Sequence, residues 1–457
     1  MGRYFGTDGI RGRFGEDPMT EAFAFLLAEA LARFLQSKSS SESPAIVLGR
    51  DTRASGLLLE RALQKGFEEA RLSVIFLGVV PTPAVAMGVL HHSASMGIVL
   101  TASHNPASDN GIKLFNHRGE KFSLADEAEI EAGIDYLLAE GGIEYPTHDP
   151  DSLPSIEYTG ADFYQRALLA QFPPENFQGL KGMKIVLDCA NGATYETAPR
   201  ILGATGAELV LIGVNPDGEN INRGLGSECP HLLAKTVLAE GAALGIAHDG
   251  DGDRLVVCDE RGSIVDGDAL LGLFALSALR RQSLAEKTLV VTVQSNFGLD
   301  RAVLEAGGRI ERVAVGDRNV AERMRAIGAH LGGESSGHIL FTEVCPTGDG
   351  LLAALFLLQT LQSEGRSLSE LQAEIQPFPQ VTENLLVQEK IPIENLPDLQ
   401  KAIRVVEAEL AGSGRLLIRY SGTESKLRIL IESESEAHAH QLMQIIVTEA
   451  CNSLPIL

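Results

Sequence analysis

Apolar and polar positions follow two alternating periods along this chain, and their order predicts its architecture. Apolar residues at helical spacing over Glu21 to Gln36 predict an amphipathic helix. A short apolar strand follows at Ala45 to Leu48, then a second helix over Gly56 to Arg71 and a second strand at Leu72 to Leu77. The same strand, helix, strand order recurs at Lys184 to Leu187, Tyr195 to Leu202 and Ala207 to Ile212. It recurs again at Leu289 to Val293, Leu299 to Ala306 and Arg309 to Val315. Parallel strands need a helical crossover, so these units predict three related α/β domains with mixed sheets, spaced too unevenly to be a tandem array. From about residue 370 the rhythm changes. A strand at Thr382 to Val387 and a helix at Leu396 to Ala411 precede two strands, Arg415 to Arg419 and Leu427 to Ile431, and a last helix from Glu436 to Cys451. Adjacent strands joined through Ser421-Gly422-Thr423 read as a hairpin, so this part predicts a smaller C-terminal α+β domain, with Pro377 and Pro379 marking a linker. The expected boundaries are 1–153, 154–254, 255–370 and 371–457.

Length agrees with this division, since 457 residues exceed what one core supports and about three or four domains are expected. A hydrophobic fraction of 44% and a charged fraction of 22% are those of a soluble globular protein. The longest apolar stretches, Ala269 to Leu276 and Leu351 to Leu358, fall short of the roughly 18 residues a membrane span needs. The start carries charges and no apolar core, so a signal peptide is not expected, and Gly6 breaks the myristoylation pattern. Five cysteines, an odd number without paired spacing, predict reduced thiols and a cytoplasmic protein. The formal net charge of −23 argues against nucleic-acid or anionic-membrane partners. It also means that a phosphate substrate would need basic residues gathered locally against the protein's own field.

Four loops carry candidate chemistry. The apolar run Met96 to Leu100 predicts a buried strand that stops at Thr101-Ala102-Ser103-His104-Asn105-Pro106. Asn105-Pro106 blocks an immediate helix, which leaves Ser103 on a loop at a strand's C-terminal end, where open α/β sheets bind ligands. A plain polar turn is the alternative. His104 is not expected to serve as a triad base, because neighbouring side chains on a strand end diverge and no G-x-S-x-G elbow surrounds the serine. In Asp249-Gly250-Asp251-Gly252-Asp253-Arg254, carboxylates at alternate positions of an extended chain would share one side. Three like charges so close call for a divalent cation, and hard oxygen ligands favour Mg²⁺ or Ca²⁺. An EF-hand, with Glu260 at position 12, is disfavoured by Arg254 where that loop needs glycine; a solvated acidic turn is the other alternative.

Gly333-Glu334-Ser335-Ser336-Gly337-His338 offers a carboxylate, hydroxyls and an imidazole suited to sugar hydroxyls, although a Gly/Ser loop with an incidental histidine has the same composition. Arg419-Tyr420-Ser421-Gly422-Thr423-Glu424, with Arg428 close behind, could converge a guanidinium, hydroxyls and backbone N–H groups on an anion, or be an ordinary turn. Arg11 and Lys113 are single basic residues beside glycines, which taken alone read as solvated surface.

Together and in this order, the four loops resemble the α-D-phosphohexomutase superfamily across essentially the whole chain. The resemblance implies three α/β domains and a smaller C-terminal one around a central active-site cleft. It implies that Ser103 is a phosphoserine and, with Asp249, Asp251 and Asp253, a ligand of one Mg²⁺ per chain. Glu334, Ser336 and His338 would meet the sugar, and Arg254 would lie beside the metal. Arg419, Ser421, Gly422, Thr423 and Arg428 would hold the phosphate that is not transferred, and Arg11, Lys113 and His338 would assist proton transfer and charge stabilisation. Tyr4-Phe5-Gly6-Thr7-Asp8-Gly9-Ile10-Arg11-Gly12, Asp188-Cys189-Ala190-Asn191-Gly192-Ala193 and Asn215-Pro216-Asp217-Gly218-Glu219-Asn220-Ile221-Asn222 are similar to the bacterial branch that acts on glucosamine phosphates. Ser335, Thr101, Tyr420 and Ser425 depart from that branch's pattern, and Ser335 bears on recognition of the 2-amino group.

The implied reaction interconverts glucosamine 6-phosphate and glucosamine 1-phosphate for UDP-N-acetylglucosamine synthesis, with glucosamine or glucose 1,6-bisphosphate as primer or intermediate. The alternative is a phosphomannomutase or phosphoglucomutase of the same superfamily, and less favoured is a non-catalytic sugar-phosphate-binding protein. A small-molecule sugar phosphate is the expected partner, and a homodimer is compatible with the sequence.

Overall fold

The computed structural model describes residues 2–38, 44–141, 156–421 and 424–457. Its first sheet contains β1 (Ile10–Arg13), β2 (Ala45–Arg50), β3 (Ser73–Val79), β4 (Met96–Leu100) and β5 (Asp109–Asn116) in the order β1-β5-β4-β2-β3. The second contains β6 (Lys184–Asp188), β7 (Glu208–Ile212), β8 (Leu244–Ala247), β9 (Val256–Asp259) and β10 (Ile264–Val265) in the order β10-β9-β8-β6-β7. The third contains β11 (Thr288–Thr292), β12 (Arg309–Val313), β13 (Leu331–Gly333) and β14 (Ile339–Phe341) in the order β12-β11-β13-β14. In each, the first strand of the βαβ unit pairs in parallel with two neighbours, and an antiparallel strand returns beside the second of them. The repeat expected from periodicity is therefore a shared topology.

β15 (Gln380–Leu386), β16 (Gly414–Tyr420) and β17 (Lys426–Ser433) form a wholly antiparallel sheet in the order β15-β17-β16, covered by the helices Pro397–Leu410 and Glu436–Ser453. This unit has a core of its own, centred on Leu399, Val406, Ile429, Ile431 and Ile446. One face of the first sheet joins the other two sheets in a continuous core that includes Val99, Leu187, Ile246, Leu289 and Leu355, while its other face packs on the helix Glu21–Lys38. The apolar stretches at Ala269 to Leu276 and Leu351 to Leu358 lie in the buried helices Gly267–Arg280 and Gly350–Glu364. No described helix is long and apolar enough to cross a membrane, and all five cysteines are free.

Two expected divisions cut through structure. The one between residues 254 and 255 falls inside the β8/β9 hairpin, so β9 and β10 stay with the second sheet. Periodicity could not show this, because a short return strand has no helix to announce it. The one between 370 and 371 falls inside the helix Leu368–Gln372. The one at 153 lies outside the described residues.

Candidate active site

The three α/β units place their chemistry at one equivalent point, the connection into the antiparallel return strand. Ser103 follows β4, the aspartates follow β8, and Glu334 to His338 join β13 to β14. β4 is buried along its whole length, which explains its unbroken apolar run. At its end Thr101 Oγ1 accepts from Ser103 N at 2.8 Å and donates to Asp51 Oδ2 at 2.7 Å. Ser103 adopts φ +53°, a left-handed conformation whose cost, of order 1–3 kcal/mol, its surroundings must offset. The turn also corrects an expectation. Backbone alternation no longer applies, and Ser103 Oγ lies 3.3 Å from His104 Nδ1 instead of diverging from it. Burial, with Arg254 nearby, lowers the His104 pKa, so the ring near neutral pH is an uncharged neighbour.

Ser103 Oγ donates to Asp249 Oδ2 at 2.6 Å, which brings the serine loop to the aspartate loop. Asp249, Asp251 and Asp253 are buried, and one oxygen from each lies within 4.8 Å of the others. They converge by a turn and not along an extended strand: Gly252 N donates to Asp249 O at 3.1 Å, and Gly252 has φ +74°. At Gly250 a β-carbon would stand 2.5 Å from Ser103 O, so glycine lets the two loops touch. The EF-hand alternative falls, since strands flank the loop and Glu260 accepts from Ser369 instead.

The three carboxylates with a serine oxygen form a hard donor set for a divalent cation. Asp251 Oδ1 and Asp253 Oδ1 are buried and have no hydrogen-bond partner among the described residues, as ligand atoms would be. Burial and the charges of Asp251 and Asp253 push the Asp249 pKa well up, a strain that a cation would relieve.

Lys113, on β5 opposite Val99, is only 2% exposed, which overturns the surface reading. Its Nζ lies 2.8 Å from Asp251 Oδ2, 3.0 Å from Asp253 Oδ2 and 3.1 Å from Asp8 Oδ2. Burial opposes its charge, but these carboxylates raise its pKa well above the ordinary value, so it stays a cation. Arg11 pairs with Asp8. Arg254 Nη1 lies 2.9 Å from Glu228 Oε1, and its backbone N donates to Asp249 Oδ1 at 3.3 Å.

The third loop is bound to the second. Leu255 N donates to Gly337 O at 3.0 Å, and a β-carbon at Gly337, where φ is +87°, would stand 2.2 Å from Leu255 O. His338 lies between two carboxylates, Nδ1 3.5 Å from Asp253 Oδ1 and Nε2 3.3 Å from Asp317 Oδ2. Burial opposes protonation, yet the two carboxylates raise its pKa to about 10. Glu334 Oε1 accepts from Gly316 N at 3.0 Å, and Ser336 Oγ is buried with no partner among the described residues. Ser335 lines a cavity of about 630 Å³ together with Asp266, Asp268, Gln294 and Asn296.

Arg419 and Arg428 face each other across β16 and β17 and line a separate cavity of about 220 Å³ with Gln294, Thr382 and Asn384. Gln294 borders both cavities. Arg428 Nη2 lies 3.0 Å from Glu424 Oε2, and Ser421 Oγ accepts from Glu424 N at 3.3 Å. Gly422 and Thr423 lie outside the described residues.

Several members of the network were not singled out as site residues, although Asp8 lies within the Tyr4 to Gly12 segment. Asp8 gathers Arg11, Lys113 and Lys121, while Asp317 joins Lys121 Nζ at 2.6 Å to His338. Both follow a residue pattern of acid beside glycine, Asp8-Gly9 and Gly316-Asp317, that could have drawn attention. Thr82 donates from Oγ1 to Asp251 Oδ2 at 2.7 Å and left no such signal.

Models of the four phosphoglucomutase/phosphomannomutase domains match this chain in order: alpha/beta/alpha domain I at residues 2–138, II at 162–262, III at 266–378 and the C-terminal domain at 383–449. The chain belongs to the phosphoglucomutase/phosphomannomutase family. Relatives in this family include the phosphoglucosamine mutase of Solidesulfovibrio magneticus, 42% identical over 453 residues that span 99% of this chain and 97% of the relative. Another is the phosphoglucosamine mutase of Myxococcus xanthus, 44% identical over 95% of this chain and 94% of the relative. Among solved structures, a phosphoglucomutase/phosphomannomutase family protein of Burkholderia thailandensis matches with a TM-score of 0.77 at 25% identity, covering 99% of this chain and 98% of its own. The N-acetylphosphoglucosamine mutase of Aspergillus fumigatus, solved with GlcNAc-6P and magnesium, shares the fold at a TM-score of 0.63 and 18% identity over 98% of this chain and 96% of its own.

Proposed function

We propose that this chain interconverts glucosamine 6-phosphate and glucosamine 1-phosphate through a phosphoserine at Ser103 and a bisphosphorylated sugar. The observation that carries the chemistry is Ser103 Oγ at 2.6 Å from Asp249 within a buried cluster of three aspartates. The choice of sugar follows the phosphoglucosamine mutases, which are similar to this chain over nearly its full length.

In the forward step, the bond between phosphorus and Ser103 Oγ breaks as one forms to the free sugar hydroxyl. That hydroxyl releases its proton and Ser103 Oγ takes one up, so the step is proton-neutral overall and ends with the Ser103 hydroxyl donating to Asp249 as it does here. Asp249, Asp251, Asp253 and an oxygen on Ser103 would hold Mg²⁺, which supplies charge stabilisation to the transferring group. Lys113 is a fixed positive charge at the same carboxylates. His338, between Asp253 and Asp317, stands where it would assist proton transfer and charge stabilisation. Glu334 and the unpartnered Ser336 hydroxyl suit hydrogen bonds to the sugar. Arg419, Ser421 and Arg428 would hold the phosphate that stays, and Arg11 would add charge beside Asp8. Phosphoryl transfer asks for positioning and electrostatics, which such a division of parts provides.

The test is a comparison of kcat/KM on glucosamine, glucose and mannose phosphates with a bisphosphate primer. Preference for glucosamine phosphates supports the reading. Equal or better turnover of glucose or mannose phosphates would contradict the choice of sugar while leaving the phosphoserine chemistry standing.

A further inference from the structure

Arg53 is among the largest fully buried side chains of the molecule and belongs to none of the four chemical loops. It precedes the helix Ala54–Glu69, and all five of its guanidinium N–H groups are used. Nε donates to Asp51 Oδ2 at 2.8 Å. The other four bonds go to backbone carbonyls of the serine loop and of the first residue of β5: Nη1 to Pro106 O and, at 2.9 Å, to Asp109 O; Nη2 to Ser103 O at 3.0 Å and Asn105 O at 2.9 Å. Asn222, from the second α/β unit, donates through Nδ2 to two of the same carbonyls, Ser103 O at 2.8 Å and Asn105 O at 3.0 Å. The neighbours of Arg53 join the two units as well, Thr52 Oγ1 to Asn191 O at 2.6 Å and Ala54 N to Gly218 O at 3.0 Å.

We propose that Arg53 and Asn222 are positioning residues for phosphoryl transfer, gripping the serine loop from two units so that Ser103 Oγ stays against the aspartates. The inference rests on the reading of Ser103 as the phosphoryl carrier. Neither residue contacts the reacting atoms; their effect passes through the carbonyls on either side of His104. Those carbonyls belong to no sheet ladder, so without the guanidinium the buried Ser103 O and the half-buried Asn105 O would be left with the Asn222 amide as their donor. Lysine at position 53 has three donors in place of five and lacks the planar fork, so it cannot span the same acceptors. A loop freed from the grip moves Oγ relative to Asp249, and a displacement of about 1 Å in such a step costs about 100-fold in rate. The Arg419 region is untouched, so sugar-phosphate binding is preserved.

The experiment compares full-length wild type with Arg53→Lys, Asn222→Ala and Ser103→Ala. Each is measured for thermal melting, for kcat and KM on glucosamine 6-phosphate, and for single-turnover transfer from the labelled phosphoenzyme. Expected are a fall in kcat of about 100-fold for Arg53→Lys and about tenfold for Asn222→Ala, matching losses in single-turnover transfer, and KM within about twofold of wild type. A lower melting temperature with wild-type kcat in the folded variants would mean a purely structural role and overturn the inference. If Arg53→Lys does not fold, Asn222→Ala decides alone, and wild-type kcat there overturns the proposal. An inactive Ser103→Ala beside a fully active Asn222→Ala removes only this inference, whereas an active Ser103→Ala removes the carrier reading beneath it.

Discussion

The centre of the molecule and its C-terminal unit both handle charge, but they are built in opposite ways. Around Ser103 the charged groups are buried or largely buried and tied to one another: Lys113 to three aspartates, His338 between Asp253 and Asp317, Lys121 bridging Asp8 and Asp317. Arg419 and Arg428 instead stand half-exposed on a sheet with a separate core. That sheet is attached to the third unit through a few polar contacts. Arg415 pairs with the buried Glu432 and donates to Val293 O at 2.8 Å and Ser295 O at 2.7 Å, while Asn296 exchanges two hydrogen bonds with Phe378. On the proposed reading, the difference separates reaction from grip. A site that stabilises charge during transfer gains from groups fixed beforehand, whereas a site that must hold either end of a reoriented sugar gains from a unit that can shift as a body.

The largest expected effect is at the centre. Ser103→Ala should lower kcat by about four orders of magnitude or more while leaving melting nearly unchanged, a loss comparable to removal of other enzymes' nucleophiles; residual activity near wild type would refute the assignment. Next, chelation should stop turnover and Mg²⁺ restore it, and Asp251→Asn should lower kcat by about 100-fold or more, since a metal supplies several kcal/mol to such a step. Arg419→Ala should separate the two regions most cleanly, raising KM by about ten- to 100-fold with little change in kcat, as expected for a lost bond to a charged group. A fall in kcat at constant KM would place Arg419 with the chemistry instead.

The smallest effect is electrostatic. The His338 pKa lies near 10 in the folded metal-free protein against an ordinary 6.5. Its contribution to stability is therefore fully present below about pH 6.5 and lost as pH rises through about 10. His338→Asn should flatten that part of the stability–pH curve, and the wild-type imidazole should remain protonated in an NMR titration at pH 8. An imidazole already neutral at pH 8 would contradict the pairing with Asp253 and Asp317.

Much of this was legible in the sequence because local chemistry announces itself. The βαβ rhythm marked three related units, and the spacing of Asp249, Asp251 and Asp253 marked a candidate cation site, although the residues converge through a turn at Gly252. What stayed hidden was long-range. Thr82 reaches Asp251 across 169 residues, and Arg53 reaches the serine loop across some 50. No periodicity encodes such a meeting, since it depends on how whole units pack. The return strands β9 and β10 were assigned to the wrong unit for the same reason: a two- or four-residue strand gains its identity from its partner. Lys113 taken alone read as surface, and the resemblance alone marked it as a site residue, because a single lysine carries no mark of the three carboxylates that surround it once the chain has folded.

The central claim is that Ser103 carries the phosphoryl group, and the most direct measurement is the fate of that group in a single turnover. Enzyme labelled from a radioactive hexose 1,6-bisphosphate should hold the label on the peptide containing Ser103. On adding glucosamine 6-phosphate, it should pass the label to the sugar at a rate no slower than kcat. Label on another residue, or label that stays on Ser103 through many catalytic cycles, would contradict the account.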